Sequence, residues 1–169
     1  MSAITLLVDD PGWRKSRGLV THLKRAAEAA FKSVRLKGNI TILLSSDARL
    51  KALNHDFRGK NKATNVLSFP AGGEDGYRGD IAIAFGVTAK EARAAGKAFA
   101  DHASHLVVHG ILHLAGYDHE KPRDAKVMEP LEVKILKKLA IADPYGAPAS
   151  KSVKAVLRSV VRPSNKVSK

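Results

Sequence analysis

Cysteine is absent from this chain. That excludes disulfides and thiolate metal sites, so any bound metal must rest on histidine, aspartate or glutamate. Long hydrophobic runs are missing too, and nothing approaches the roughly 18 to 20 apolar residues that cross a bilayer. The first ten residues, MSAITLLVDD, hold only the short apolar run Ala3 to Val8, followed by Asp9 and Asp10. With no basic start and no cleavage pattern, a signal peptide is not expected. These absences predict a cytoplasmic protein without a membrane partner.

Acidic residues are in short supply: 16 Asp and Glu stand against 29 Lys and Arg, a net charge of +13. From Tyr145 onward there are six basic residues and no acid, and the rest of the chain still carries +7. Such a balance favours polyanions, bound through phosphate contacts that weaken as salt rises. The bland alternative is solubility alone. The 169 residues fit one domain with a real core. We place that domain at residues 1–146, followed by a basic C-terminal extension, 147–169, expected to be mobile on its own.

Hydrophobic periodicity predicts the elements. Ala3 to Val8 reads as a strand, and a helix carries Leu19, Val20, Leu23, Ala26, Ala27, Ala30 and Phe31. Asn39 to Ser45 is a second strand, and Ser45, Ser46 and Asp47 offer caps for a short helix to about Phe57. TNVLSF, stopped by Pro70, and DIAIAF read as a hairpin across a Gly-rich turn. Thr88 is expected to cap a helix to about Phe99, with a second from near Asp101 to Ala115. The last helix, Arg123 to Ala140, shows Val127, Leu131, Ile135, Leu136 and Leu139 on one face, with a kink or fresh start at Pro130. The order gives an α+β fold: one mixed sheet with helices mainly on one side.

The segment HGILHLAGYDHE carries the chemistry. His109 and His113 fall one helical turn apart, and Gly116 can end that helix in a left-handed cap that returns His119 to the same point. The spacing H-x-x-x-H-x-x-G-x-x-H is that of metzincin zinc sites, three imidazoles with one coordination position open for chemistry. Imidazoles also suit nickel or copper. With unperturbed pKa values near 6.5, acid should displace the metal. Where those proteases carry their glutamate base, this chain has Gly110. Without that carboxylate, amide hydrolysis loses a contribution worth about 100- to 10,000-fold. A phosphodiester needs instead a metal on its non-bridging oxygen, a cation for the developing charge and an aligned nucleophile.

His102 and His105 precede the motif on the same helix face, as supports for the ligands, RNA contacts or polar neighbours of the cleft. His22 and His55 have no partner pattern. For a general base, Asp118, Glu120, Asp80 and His105 all stay open. In FRGKNKATNVLSFP, Arg58, Lys60 and Lys62 occupy a helix-to-strand loop suited to holding phosphate.

Taken together, RGKNKATNVLSFP, GDIAIAF, HLVVHGILHLAGYDHE and ADPYG resemble the bacterial rRNA maturation factor family, the YbeY endoribonucleases. The resemblance implies a mixed four-stranded sheet with about five helices and a metal at the floor of a basic cleft. It implies a single-strand-specific, metal-dependent endoribonuclease in 16S rRNA 3′-end maturation and ribosome quality control. One zinc ion per chain would sit on His109, His113 and His119, with Arg58 in the catalytic role. Ribosomal RNA and the small ribosomal subunit are the implied partners, with room for ribosomal-protein or GTPase partners. The family loop commonly has aspartate, proline and aspartate where this chain has Asn61, Ala63 and Asn65, which makes the loop more cationic and less rigid. Two other readings are a metal-dependent amide hydrolase using Glu120 or Glu129, and a non-catalytic ribosome assembly factor with a structural metal.

Overall fold

The computed structural model describes residues 3–146; the extension set apart above, 147–169, lies outside them. Four strands, β1 (Ile4–Val8), β2 (Asn39–Ser45), β3 (Val66–Pro70) and β4 (Tyr77–Ala84), form one sheet in the order β1-β2-β4-β3. β1, β2 and β4 run parallel, and β3 closes the edge antiparallel to β4. Five helices accompany them: α1 (Leu19–Ser33), α2 (Asp47–Arg58), α3 (Phe85–Ala94), α4 (Phe99–Leu114) and α5 (Pro122–Lys138). One-turn 3-10 helices at Pro11–Arg14 and Glu74–Gly76 were not anticipated. No helix among the described residues is long and apolar enough to cross a membrane.

Strand periodicity of two sends alternate residues to opposite faces. Ile40, Ile42, Leu44, Val66, Ile81 and Ile83 enter the main core with α1, α4 and α5. Leu67, Ala82 and Ala84 face the other way and pack with Leu50 of α2, beside Leu53, Phe69 and Val87. The helices therefore lie mainly on one side of the sheet, as expected, with α2 added on the second face. α2 covers the second face because its Leu50 and Leu53 form a short apolar stripe of their own.

Other expectations shift at the element ends. Ser46 does cap α2, its hydroxyl accepting from Arg49 N–H at 3.1 Å. Thr88 does not cap α3, because the helix already starts at Phe85 and the Thr88 hydroxyl donates back to the Ala84 carbonyl at 2.6 Å. α3 and α4 are separate helices, parted at Gly96, which has a positive φ of 66°. α5 continues through Pro130 with no fresh start. Its buried side is Met128, Glu132, Ile135 and Leu136, while Val127 is 57% exposed.

α4 is the element that positions everything else. Every residue from His102 to Leu112 is buried, as expected of a helix enclosed on all sides. It lies close enough to β4 that a Cβ on Gly110 would stand 2.9 Å from Ile81 Cγ2. The glycine where a protease would carry its base thus faces the sheet, at a position with no room for a Cβ unless Ile81 shifts. We expect Gly110→Ala to lower the unfolding free energy by about 1–2 kcal/mol, overpacking outweighing the gain in helix propensity. Urea denaturation checks this, and unchanged or increased stability would show that Ile81 simply yields.

Candidate metal centre and cleft

The three histidines of the motif converge. α4 ends in a Schellman cap, with Gly116 N–H on the His113 carbonyl and Tyr117 N–H on the Leu112 carbonyl, both at 3.0 Å. Gly116 takes the positive φ, 100°, that this cap requires. Beyond it, Asp118 accepts from the backbone N–H of His119 at 2.7 Å and of Glu120 at 3.3 Å, which fixes the loop that presents His119. The ring centroids of His109, His113 and His119 are 4.6, 4.8 and 5.1 Å apart.

One donor nitrogen from each ring lies within 4.8 Å of the others, so the three could hold a metal ion. His109 Nδ1 is bonded to Glu132 at 2.6 Å, which directs the lone pair of Nε2 toward the cluster. That Nε2 faces His113 Nε2 at 3.1 Å. Two nitrogens on a tetrahedral zinc stand about 3.3 Å apart, given zinc–nitrogen bonds of about 2.0–2.1 Å. The His109–His113 separation therefore suits two ligands of one tetrahedral ion, with His119 within reach as a third. Burial first, then the neighbouring charges of His109 and His119, push His113 down to about 3. Its imidazole stays neutral, as a ligand must be, well below the ordinary histidine range.

Behind His109 lies a group that sequence reasoning did not single out. Glu132 is fully buried on α5. One carboxylate oxygen meets His109 Nδ1, and the other accepts from the Tyr145 hydroxyl at 2.5 Å and lies 3.6 Å from His105 Nε2. Burial would raise this carboxyl. The charges of His109 and His105 and their hydrogen bonds outweigh that and hold it well below the usual carboxylate range. The signal was present: Glu132 is a lone acid inside the apolar stripe Met128, Leu131, Ile135, Leu136. Tyr145, from the ADPYG segment, joins the same network and also meets His105 Nε2 at 3.2 Å.

Removing only the charge, as in Glu132→Gln, is expected to weaken metal affinity about 10- to 100-fold, as losing a partner that orients a ligand commonly does. Competition against a chromophoric chelator measures this. Native affinity in a folded Glu132→Gln protein would remove the residue from that role.

His102 and His105 are each only 2% exposed, which excludes direct RNA contact for both. His102 Nε2 pairs with Glu91 at 2.8 Å, and Glu91 also receives the Asn65 side-chain amide at 3.1 Å. Asn65, one of the three departures from the family loop, therefore faces an enclosed network under α4. A carboxylate there would oppose Glu91.

At His113 opens a cleft of about 360 Å³, lined among others by Arg58, Ser68, His113, Asp118 and Glu120. Arg58 ends α2, where Gly59 forms a left-handed cap (φ 67°). Its Nη2 donates to the Ser68 carbonyl at 2.8 Å, and its guanidinium lies 5.7 Å from the centre of the Phe69 ring. Its Nε is buried with no partner among the described residues. Burial lowers the pKa, but a guanidinium remains charged. Lys60 and Lys62 are exposed in the following loop and are not among the cleft-lining residues.

Of the four candidates for a base, Asp118 and Glu120 line the cleft. Burial pulls Asp118 upward, but the two backbone N–H bonds outweigh it and leave the carboxyl lowered, hence weakly basic. Asp80 is exposed on β4 and bonded to the Tyr77 hydroxyl, and His105 is enclosed behind His109. Neither lines the cleft.

Fold and centre together define a class: small α+β proteins whose buried core helix carries a three-histidine centre beside an arginine-lined cleft. Within that class, the family model described as Endoribonuclease YbeY matches residues 14–140. The chain belongs to the YbeY endoribonuclease family. It is 45% identical over 148 residues to Endoribonuclease YbeY of Maricaulis maris, covering 86% of this chain and 92% of the relative. It is 49% identical over 135 residues to the protein of that name from Chelativorans sp., covering 76% and 82% respectively. A solution structure from Thermotoga maritima matches with a TM-score of 0.60 at 33% identity, over 80% of this chain and 88% of that one.

Proposed function

We propose that this protein is a zinc-dependent endoribonuclease that cuts single-stranded RNA, with precursor of the small-subunit ribosomal RNA as substrate and the ribosome as its cytoplasmic setting. One observation carries the reading: Arg58 and His113 of the three-histidine cluster line the same cleft. The family name and the net charge of +13 support RNA as the polymer.

His109, His113 and His119 would hold the zinc. When bound, it polarises a phosphate oxygen and makes water a better nucleophile. The chain's own residues supply the rest. Arg58, held by the Ser68 carbonyl and backed by Phe69, offers its fixed guanidinium to the phosphate as charge builds in the transition state. Lys60 and Lys62, exposed in the loop that follows, add positive charge that attracts the RNA backbone. Glu120 and Asp118, both at the cleft wall, are the carboxylates within the cleft that would take the proton of the attacking water. The Gly110 position points at Ile81 and leaves no room for the base that peptide hydrolysis requires.

The test is cleavage of a single-stranded rRNA precursor by purified protein before chelation, after chelation, and after adding zinc back. Loss and recovery of cutting support the reading. RNA that is bound but never cut, with metal present, would favour the assembly-factor alternative.

A further inference from the structure

Phe57 is 68% exposed, more than Leu7 or Val127, the other exposed large hydrophobic residues of the described chain. Isolated exposed apolar residues are ordinary, so exposure alone carries nothing. The neighbours do. The Phe57 ring packs against Phe69 with centroids 5.4 Å apart and planes at 61°, which anchors it while most of its surface faces water. Arg58 lies 5.7 Å from the centre of the same Phe69 ring and also lines the cleft, so platform and cleft share a side chain. Lys60 and Lys62 follow in RGKNKATN, a stretch with no acid, and Asp56 on the other side pairs with His55 at 3.4 Å.

An anchored aromatic face beside three cations is the chemistry that takes an unpaired nucleobase together with its phosphates. One ring is too little apolar area for a protein or lipid partner, and the cations around it call for phosphate. We propose that Phe57, braced by Phe69, is a stacking platform for a base of single-stranded RNA that runs past Arg58 into the cleft. The inference rests on the RNA-cleaving reading above and adds to it the residue that favours unpaired strands. In a duplex each base face is already covered by its neighbours, so Phe57 would find nothing to stack on.

Trp13 is the only tryptophan and is fully buried, so Phe57→Trp adds a solvent-facing reporter that can be followed separately. The probes are a short single-stranded RNA, the same sequence as a duplex, and an abasic oligomer of equal length and charge. Quenching of the new tryptophan by the single strand, but not by the other two, is the expected result. In anisotropy titrations Phe57→Ala should bind the single strand about 5- to 100-fold more weakly, while Phe57→Tyr keeps native affinity. Native affinity in Phe57→Ala, or equal quenching by the abasic oligomer, overturns the platform and leaves the nuclease reading standing. Native protein that binds no RNA at all overturns both.

Discussion

A His113→Ala protein is expected to fold and yet to cut RNA at least about 1,000-fold more slowly than the native protein, since metal stabilisation of transition-state charge is worth several kcal/mol. His113 stands in the last turn of α4 at the cleft wall, only partly buried, and its loss leaves two imidazoles where a catalytic centre uses three. Metal content by mass spectrometry should fall with the activity while the circular dichroism spectrum is kept. Equal cutting by both preparations would trace the activity to a contaminant.

The same residue sets a pH expectation. In metal-free protein His113 titrates at about 3, whereas in the unfolded chain it titrates near 6.5. Between those values the unfolded chain binds the proton and the fold does not, so metal-free stability must fall as pH falls through that window. Unfolding midpoints of chelated protein from pH 7 to 4 check the sign.

How much of this was legible in the sequence depended on whether a local rule was enough. The histidines were, because helix pitch and the Gly116 cap are short-range geometry that tertiary contacts only have to tolerate. Ser46 was legible for the same reason. Thr88 misled because a threonine hydroxyl serves equally as a cap or as a donor to the carbonyl one turn back. On α5 the apolar stripe read through Val127 differs by one residue from the buried face, which takes Met128 and with it Glu132, a carboxylate in the core. Gly110 showed that a base was missing but not why, since the reason is Ile81 on β4, 29 residues earlier in the chain. Arg58 was singled out by family likeness, and its hold on Ser68 and Phe69 arises only when the edge strand β3 lies beside the end of α2.

Arg58→Ala should separate catalysis from folding. In the fold the side chain contributes one hydrogen bond, to the Ser68 carbonyl, and a cation–π approach to Phe69, so its removal is expected to cost about 1 kcal/mol of stability. In the role proposed for it, Arg58 is the cation that faces the phosphate as charge develops, and loss of such a preorganised donor typically lowers kcat about 100- to 1,000-fold. Metal content should be unchanged, because Arg58 touches none of the three histidines' donor nitrogens. Arg58→Lys should recover charge but only part of the rate, since an ammonium cannot keep the Ser68 carbonyl and grip two phosphate oxygens in one plane. Single-turnover cleavage at saturating RNA, read beside thermal melting, decides the matter. A fall in kcat far beyond the fall in stability puts the guanidinium at the reacting phosphate. A rise in KM with kcat preserved would make it a binding residue alone, and a Lys variant as fast as the native protein would show that charge without the planar fork is enough.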